Sequence, residues 1–213
     1  MVKFRAAVHN TSSAPSPRST LRTSFAVLTV SVAMLWLPHN GHAANRSQSW
    51  RIDEAQTSIA FKIDAVGFPT THGHFGHYTG KILIDFDRPA KSFTNFTVDA
   101  TSVDVGAGSF NDFVKSRALL NVERFPTMAF ASTQVEKLDA HTARVIGNLT
   151  MLGVSRPLTL TVDVETNAAN QANAVSFTAK GTIVRSEFGM TFGIPLIDDA
   201  IEITVKTRAL NDE

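Results

Sequence analysis

The sequence predicts an all-β domain, an antiparallel eight-stranded barrel with a short capping helix. From Trp50 onward, apolar and polar residues alternate with the period of two that is typical of half-buried strands. Short segments rich in Gly, Pro, Asp and Asn separate these runs, as hairpin loops do. No strand–helix–strand rhythm is visible, which argues against a parallel sheet with a nucleotide-binding edge.

The first element along the chain is an export signal at residues 1–43. This segment carries four basic residues and no acidic one, and its apolar run of 14 residues, Ser24–Leu37, precedes the cleavage pattern Gly41-His42-Ala43. The run is shorter than the roughly 20 apolar residues that span a bilayer, so a membrane anchor is the weaker alternative. Because the signal has no Arg-Arg pair, we expect the general secretion route, a periplasmic protein and no membrane span after cleavage.

Charge and cysteine content narrow the functional class. The whole chain has 20 basic and 19 acidic residues, and removal of 1–43 leaves 16 against 19, a net charge of −3. Such a balance offers no basic surface for phosphates, so we expect no nucleic-acid partner. The absence of cysteine excludes disulfides, thiolate metal sites and thiol catalysis. After a short linker at 44–49, a single domain is expected over 50–210.

Alternating runs mark the strands in chain order, with turn signals such as Phe86-Asp87-Arg88-Pro89 between them. Strands are expected over Ile59–Ala65, Ile82–Phe86, Phe96–Ala100, Met128–Phe130, Val145–Met151, Leu158–Val164, Val175–Ala179 and Ile201–Val205. One longer strand is expected across Gly73, Gly76 and Gly80. Glycine inside a strand marks a bulge, a bend or a close backbone approach, which favours a closed barrel over a sandwich.

One segment departs from this pattern. Over Ser109–Glu123, apolar residues recur at spacings of three and four, which predicts a short amphipathic helix ending near Phe125-Pro126. We expect its apolar stripe to cap one end of the barrel.

The predicted interior is rich in phenylalanine. Of the 15 Phe, 13 follow residue 43, whereas the chain has a single Tyr. Small residues such as Ala100, Gly147 and Ala179 are candidates for the same inward face. An eight-stranded barrel is either filled by side chains or holds one small ligand, so a packed core and an apolar cavity for a long chain both stay open.

The dense polar cluster of the chain consists of His72, His74 and His77. His72 and His74 share one strand face, and a bulge at Gly76 would bring His77 beside them, which makes the cluster a candidate zinc, copper or nickel site. The favoured alternative is three surface imidazoles. The sequence contains no nucleophile-elbow, zinc-protease or phosphate-loop motif, so we expect neither catalysis nor a cofactor.

Three blocks of the sequence follow the order of motifs in a known family. Gly73–Ile82 matches the strand "G-x-F-x-x-F/Y-x-G-x-I", Gly147–Leu158 matches the hairpin "G-x-L-T-x-x-G-V-T-x-P-V", and Arg185–Met190 matches "R-S-x-F-G-M/I". With these blocks the chain resembles the YceI-like, polyisoprenoid-binding proteins. It departs from them at Val114, where many members carry a His, so a head-group contact through that position is not carried over.

The resemblance implies a lipocalin-like barrel with a long apolar tunnel that the helix closes at one end. The ligand would be an isoprenoid chain, such as a quinone or a polyprenyl phosphate, or another long-chain lipid. Residues expected to line the tunnel by apolar contact are Phe61, Phe75, Phe96, Phe113, Phe130, Leu149, Phe177, Phe188 and Met190. Arg185, in the last matching block, is the candidate for contact with a head group.

The function expected from these features is non-catalytic binding of an isoprenoid or other lipid for transport, storage or sensing. One alternative is a packed barrel that acts as an envelope stress-response or protein-interaction accessory. Another is a hydrolase or isomerase acting on lipid head groups. Pairing of an edge strand across a dimer axis would give a homodimer, which the sequence allows without requiring it.

Overall fold

The structure is a computed structural model that describes residues 48–85, 87–106, 108–165 and 174–211. The export signal expected at 1–43 lies outside this part of the chain, which contains eleven strands and one α-helix, α1 (Gly108–Lys115). The strands are β1 (Gln48–Ile52), β2 (Ser58–Ala65), β3 (Phe68–Phe75), β4 (Tyr78–Ile84), β5 (Phe93–Asp99), β6 (Val103–Asp104), β7 (Thr127–Lys137), β8 (Thr142–Met151), β9 (Val154–Glu165), β10 (Ala174–Val184) and β11 (Ala200–Asn211). Because β1 begins at Gln48, the last two residues of the expected linker already belong to the sheet.

The strands close into one antiparallel barrel. Three consecutive pairs (β1 with β2, β3 with β4, and β5 with β6) each act as one bent strand, and with β7 to β11 they give eight positions around the ring. The ring closes because β11 pairs with β2 over Glu202–Lys206 and with β1 over Ala209–Asn211. The predicted eight-stranded antiparallel barrel with a helix is therefore confirmed, and its strands follow one another around the ring in chain order.

Short interruptions bend the paired strands. Between β3 and β4, the backbone N–H of Gly76 donates to the Ser102 carbonyl at 3.2 Å, and that of His77 donates to the Ser102 hydroxyl at 3.0 Å. Between β5 and β6, the Asp99 carboxylate accepts from the backbone N–H of Thr101 at 2.9 Å. The long strand predicted across Gly73, Gly76 and Gly80 is thus two strands, because side-chain and loop acceptors replace the ladder at Gly76.

Alternate strand connections define two ends of the barrel. The "helix end" carries the turn at 66–67, α1, the turn at 152–153 and the loop at 185–199. The "opposite end" carries the loop at 85–92 and the turn at 138–141. Val114 on α1 is buried against the main core, so the helix covers the end named after it, as predicted.

The helix is shorter than the sequence predicts. It ends at Lys115, and the rest of the expected range, to Glu123, consists of turns. The Ser116 hydroxyl donates to the Phe113 carbonyl at 2.7 Å, and Asn121 adopts a left-handed φ of 44°. Such local side-chain bonding competes with continued helix, and a left-handed residue cannot extend it. Among the described residues, no helix is long and apolar enough to cross a membrane.

Candidate ligand-binding cavity

The inside of the barrel contains a cavity of about 740 Å³. Its lining is mainly aliphatic and aromatic and includes residues of every described strand except β1 and β6. The cavity reaches both ends of the barrel. A volume of this size lies within the range of sites that bury a small-molecule ligand. The barrel is therefore not filled by its own side chains.

Eight of the nine residues predicted to line a tunnel do line this cavity. These are Phe61, Phe75, Phe96, Phe113, Phe130, Leu149, Phe177 and Met190. Phe188 is buried in the main core, at 4% exposure, but it does not belong to the lining. The chain leaves β10 at Arg185, and residues 185–188 form a 3₁₀ turn, so Phe188 does not continue the face of that strand.

Aromatic rings follow one another from the interior to the helix end. The ring centroids of Phe61 and Phe75 lie 5.6 Å apart inside the barrel. At the helix end, the Phe113 ring lies 5.2 Å from that of Phe192 in an edge-on contact and 6.3 Å from that of Phe110. Such pairs stabilise the wall beyond simple area burial and require no polar partner.

Glycines on the wall make room for lining phenylalanines. A Cβ atom at Gly73 would lie 2.2 Å from the Phe61 ring, and one at Gly147 would lie 2.5 Å from the Phe130 ring. Gly80 would bring a Cβ within 3.1 Å of Phe96. The sequence assigned these glycines to bulges, bends or close backbone approaches. In the structure each permits a close approach, because the missing side chain lets a phenylalanine ring lie against the barrel wall.

Gly147→Ala should lower the free energy of unfolding by about 1–3 kcal/mol. The added Cβ would lie 2.5 Å from the Ala131 carbonyl oxygen, a backbone atom of the neighbouring strand that cannot rotate away. Urea unfolding followed by tryptophan fluorescence measures the change. Gly108→Ala is the matched control, since a Cβ there meets nothing within 4 Å and alanine suits a helix. Equal stability of the two variants would contradict this account of the wall.

Arg185 is buried at the helix end, with 2% of its surface exposed, and contributes to the lining. Its guanidinium donates four hydrogen bonds of 2.8–2.9 Å to backbone carbonyls, from Nε to Asp198, from Nη1 to Met190 and Phe192, and from Nη2 to Ile197. Burial lowers the pKa of Arg185, while Asp199 and Asp198 oppose this shift. The side chain therefore fixes the loop at 185–199. Of its five N–H groups, four form these bonds.

The Asp199 carboxylate anchors the start of the same loop. It accepts from the backbone N–H of Ser186 at 2.8 Å and from the Ser186 hydroxyl at 2.6 Å. The pKa of Asp199 is held below its ordinary value, chiefly by the bond from the Ser186 hydroxyl. The bond from the Ser186 backbone N–H and the charge of Arg185 lower it further. The ionised carboxylate is thus the form that stabilises the loop.

The stability that Asp199 contributes should depend on pH in a defined direction. Because its pKa is lowered by folding, the contribution is complete above the unfolded-state value of about 3.9 and is lost as the pH falls through the lower folded value. Asp199→Asn should therefore lower the urea midpoint at neutral pH and flatten its decline as the pH falls from about 4 through the lower folded-state pKa. Ser186→Ala should change both quantities in the same direction. A decline as steep in Asp199→Asn as in the parent protein would contradict the assignment.

Asp85, the buried charged residue of the lining at the opposite end, is also bonded within the protein. Asp85 is 3% exposed, and its carboxylate accepts from the backbone N–H of Arg88 at 2.8 Å and from Nε of the same arginine at 3.0 Å. Both buried charged side chains of the lining, Asp85 and Arg185, are thus committed to backbone or ion-pair partners. The cavity can bind an apolar chain, and its two buried charged side chains stabilise the loops at its two ends.

The comparison with protein families decides the identity of the fold. A model of the YceI-like domain matches residues 50–209. The chain belongs to the YceI-like family. The resemblance drawn from the sequence blocks is therefore confirmed.

Relatives of this YceI-like chain include UPF0312 proteins of two Yersinia species. The protein of Yersinia enterocolitica is 29% identical over 158 residues, which cover 71% of this chain and 80% of the relative. The protein of Yersinia pestis is 28% identical with the same coverage.

Solved structures share the fold. BcnA of Burkholderia cenocepacia superposes with a TM-score of 0.68 at 23% identity, over 74% of this chain and 98% of that protein. A polyisoprenoid-binding domain from Saccharophagus degradans, implicated in plant cell wall breakdown, gives a TM-score of 0.59 at 12% identity, over 78% and 99%.

The histidine cluster of this YceI-like barrel lies on the surface. His72 and His74 are exposed on β3 and share a face, as predicted, and the exposed His77 follows the break at Gly76. Within the part of the chain that the structure describes, no group of three or more His, Asp or Glu side chains converges in a way that could hold a metal ion. The break at Gly76 therefore does not assemble the three imidazoles.

Sequence reasoning missed the apolar surface at the helix end. Phe68 is 76% exposed, Val66 67%, Leu196 65% and Phe192 50%. The signal was present in the sequence: residues 65–71, around the turn between β2 and β3, and residues 188–197, before β11, contain no charged residue, whereas the ends and connections of strands are ordinarily polar.

Proposed function

We propose that this YceI-like protein binds a long apolar chain, an isoprenoid or a similar lipid, inside its barrel without chemical change. The observation that carries the proposal is the cavity of about 740 Å³, which extends from one end of the barrel to the other. Eight aromatic and aliphatic residues expected from the sequence line it. The same observation disfavours the packed barrel of a purely accessory protein.

The energetics of such a cavity suit a chain better than a polar metabolite. Burial of apolar surface contributes about 0.8 kcal/mol per methylene group, so a chain of about ten such groups would gain about 8 kcal/mol before the costs of immobilisation. Micromolar affinity corresponds to a net gain of about 8 kcal/mol, so a chain longer than ten such groups would be needed once the costs of immobilisation are subtracted. The polyisoprenoid-binding neighbour from Saccharophagus degradans supports an isoprenoid as the ligand class.

The bonding of the two buried charges of the lining supports a binding role over a hydrolase or isomerase, while the other ionisable lining residues, Lys137, Asp139 and His141, are exposed at the opposite end. Arg185 donates four hydrogen bonds to carbonyls of its own loop, and the Asp85 carboxylate is paired with Arg88. A general acid or base needs a proton to exchange with the substrate, and these two groups are held by the protein instead. The export signal expected at 1–43 supports a periplasmic location.

Titration with a fluorescent long-chain fatty acid tests the proposal. The expected result is a saturable rise in fluorescence at one probe per barrel, reversed by an unlabelled polyprenyl phosphate, whose phosphate ester a head-group hydrolase could cleave. Mass spectrometry of the extracted competitor should show it unchanged after incubation. Failure of the protein to take up either molecule would contradict the binding role, and a shortened or rearranged competitor would favour the enzyme.

A further inference from the structure

Exposed large apolar side chains gather at one end of the barrel. Among the described residues nine large hydrophobic side chains are exposed, and seven of them lie at the helix end. Six of these form what we call the apolar rim: Val66, Phe68, Phe110, Phe192, Ile194 and Leu196. Scattered single exposures are normal on protein surfaces, whereas a concentration of this kind marks an interaction site.

The two loops that supply most of the rim are joined to each other. The backbone N–H of Val66 donates to the Leu196 carbonyl at 2.8 Å, and that of Asp198 donates to the Asp64 carbonyl at 2.9 Å. Through the contact of Phe192 with Phe113, the same loop reaches α1 at 5.2 Å between ring centroids. The rim is therefore one continuous surface built from three neighbouring segments.

The rim is also continuous with the cavity. Phe68, Phe110 and Phe192 are 76%, 38% and 50% exposed, and all three belong to the lining of the cavity. An apolar path therefore leads from the barrel interior, past these rings, to the surface at the helix end. Val66, Ile194 and Leu196 surround this exit without lining the cavity.

The charge of the rim favours an uncharged apolar partner. Residues 65–71 and 188–197 contain no Asp, Glu, Lys, Arg or His, α1 carries one acidic and one basic residue (Asp112 and Lys115), and the chain after residue 43 has a net charge of −3. Aromatic and aliphatic side chains without charge are those that enter the boundary between lipid head groups and acyl chains. Attraction to an anionic surface would instead require basic residues on the docking face.

We propose that the apolar rim docks on the surface of a lipid bilayer, with the helix end of the cavity facing the lipid. The proposal rests on the proposed lipid-binding function, because it describes how an apolar chain enters the barrel without crossing water. Docking is driven by apolar burial, so it occurs on zwitterionic lipid and resists salt.

Flotation with phosphatidylcholine vesicles tests the docking. The parent protein should float with the vesicles at low and high salt alike. Leu196→Asp and Val66→Asp should each weaken association by at least about tenfold, because transfer of a large apolar side chain from water is lost and a charge takes its place. Both side chains lie outside the cavity lining, so uptake of a fluorescent fatty acid in vesicle-free solution should be unchanged.

Leu138→Asp is the matched control, since this leucine is 47% exposed in the turn at the opposite end and does not line the cavity. It should float as the parent does, and equal loss in this variant would overturn the proposal. No flotation of a parent protein that takes up the probe would overturn docking while leaving the binding function intact, whereas loss of probe uptake would contradict the function itself. A dimer that Leu196→Asp converts to monomer, without vesicle binding by the parent, would assign the rim to a second copy and overturn docking.

Discussion

Arg185→Met is expected to lower the free energy of unfolding by about 3–5 kcal/mol, the cost typical of removing one side of a buried charged network. The methionine fills similar space but leaves four carbonyls of the loop at 185–199 without the N–H groups that now reach them at 2.8–2.9 Å. Carbonyls of the main chain cannot be removed with the arginine, so each must find water or stay unpaired. For a domain of this size the melting temperature should fall by about 10 °C.

The stability loss of Arg185→Lys should be smaller than that of Arg185→Met but still clear. A single ammonium group cannot reach all the carbonyls that now surround the planar guanidinium of Arg185. Lys180→Met, at an exposed position on β10, is the control and should change stability by less than about 0.5 kcal/mol. If Arg185 served a head group instead, Arg185→Met would leave stability nearly unchanged and selectively weaken binding of an anionic lipid. Thermal and urea unfolding, together with titration of a fatty acid and its alcohol, separate these outcomes.

Ala179→Phe is expected to weaken uptake of a long-chain probe by about tenfold or more while leaving the barrel at least as stable. Ala179 lines the cavity on β10 between Val162 and Val205, both also part of the lining. A phenyl ring there would occupy space that the chain needs, and crowding of a filled site costs about 1–3 kcal/mol. Without ligand the same ring fills empty volume, which ordinarily stabilises a protein.

Ala131→Phe controls for the chemistry of the substitution. Ala131 is exposed on β7 and does not line the cavity, so uptake of the probe should match that of the parent. Fluorescence titration of the three proteins, alongside their urea midpoints, provides the measurement. Equal affinity of Ala179→Phe and the parent would mean that the probe binds somewhere other than the barrel interior.

The strands were predictable because one of their faces is buried. On β8, residues from Val145 to Met151 alternate between buried and more exposed positions, and the sequence alternates in step. Six of the eight predicted lining residues lie on such strands, whereas Phe113 lies on α1 and Met190 in the loop at 185–199. Phe188 is not in the lining, because the chain leaves the strand at Arg185, and nothing in the local alternation marks that departure.

Features that depend on distant parts of the chain were not predictable. The role of Arg185 comes from carbonyls of a loop that folds back over it, and carbonyl positions leave no trace in side-chain patterns. The last residue of α1 is Lys115 because of the hydrogen bonds of Ser116 and the left-handed φ of Asn121. Both compete with an apolar period that would otherwise suit a longer helix. A cavity and a packed core use the same phenylalanines, because the difference lies in the summed volume of the interior.

Native mass spectrometry of the protein purified from expressing cells tests the central claim most directly. A barrel that holds an apolar chain should carry one additional hydrophobic mass, released by organic solvent and strongly reduced in Ala179→Phe. The Ala131→Phe protein should retain it. A bare polypeptide mass for the parent under gentle ionisation, together with no uptake of added polyprenyl alcohol, would contradict the claim that the cavity is a lipid-binding site.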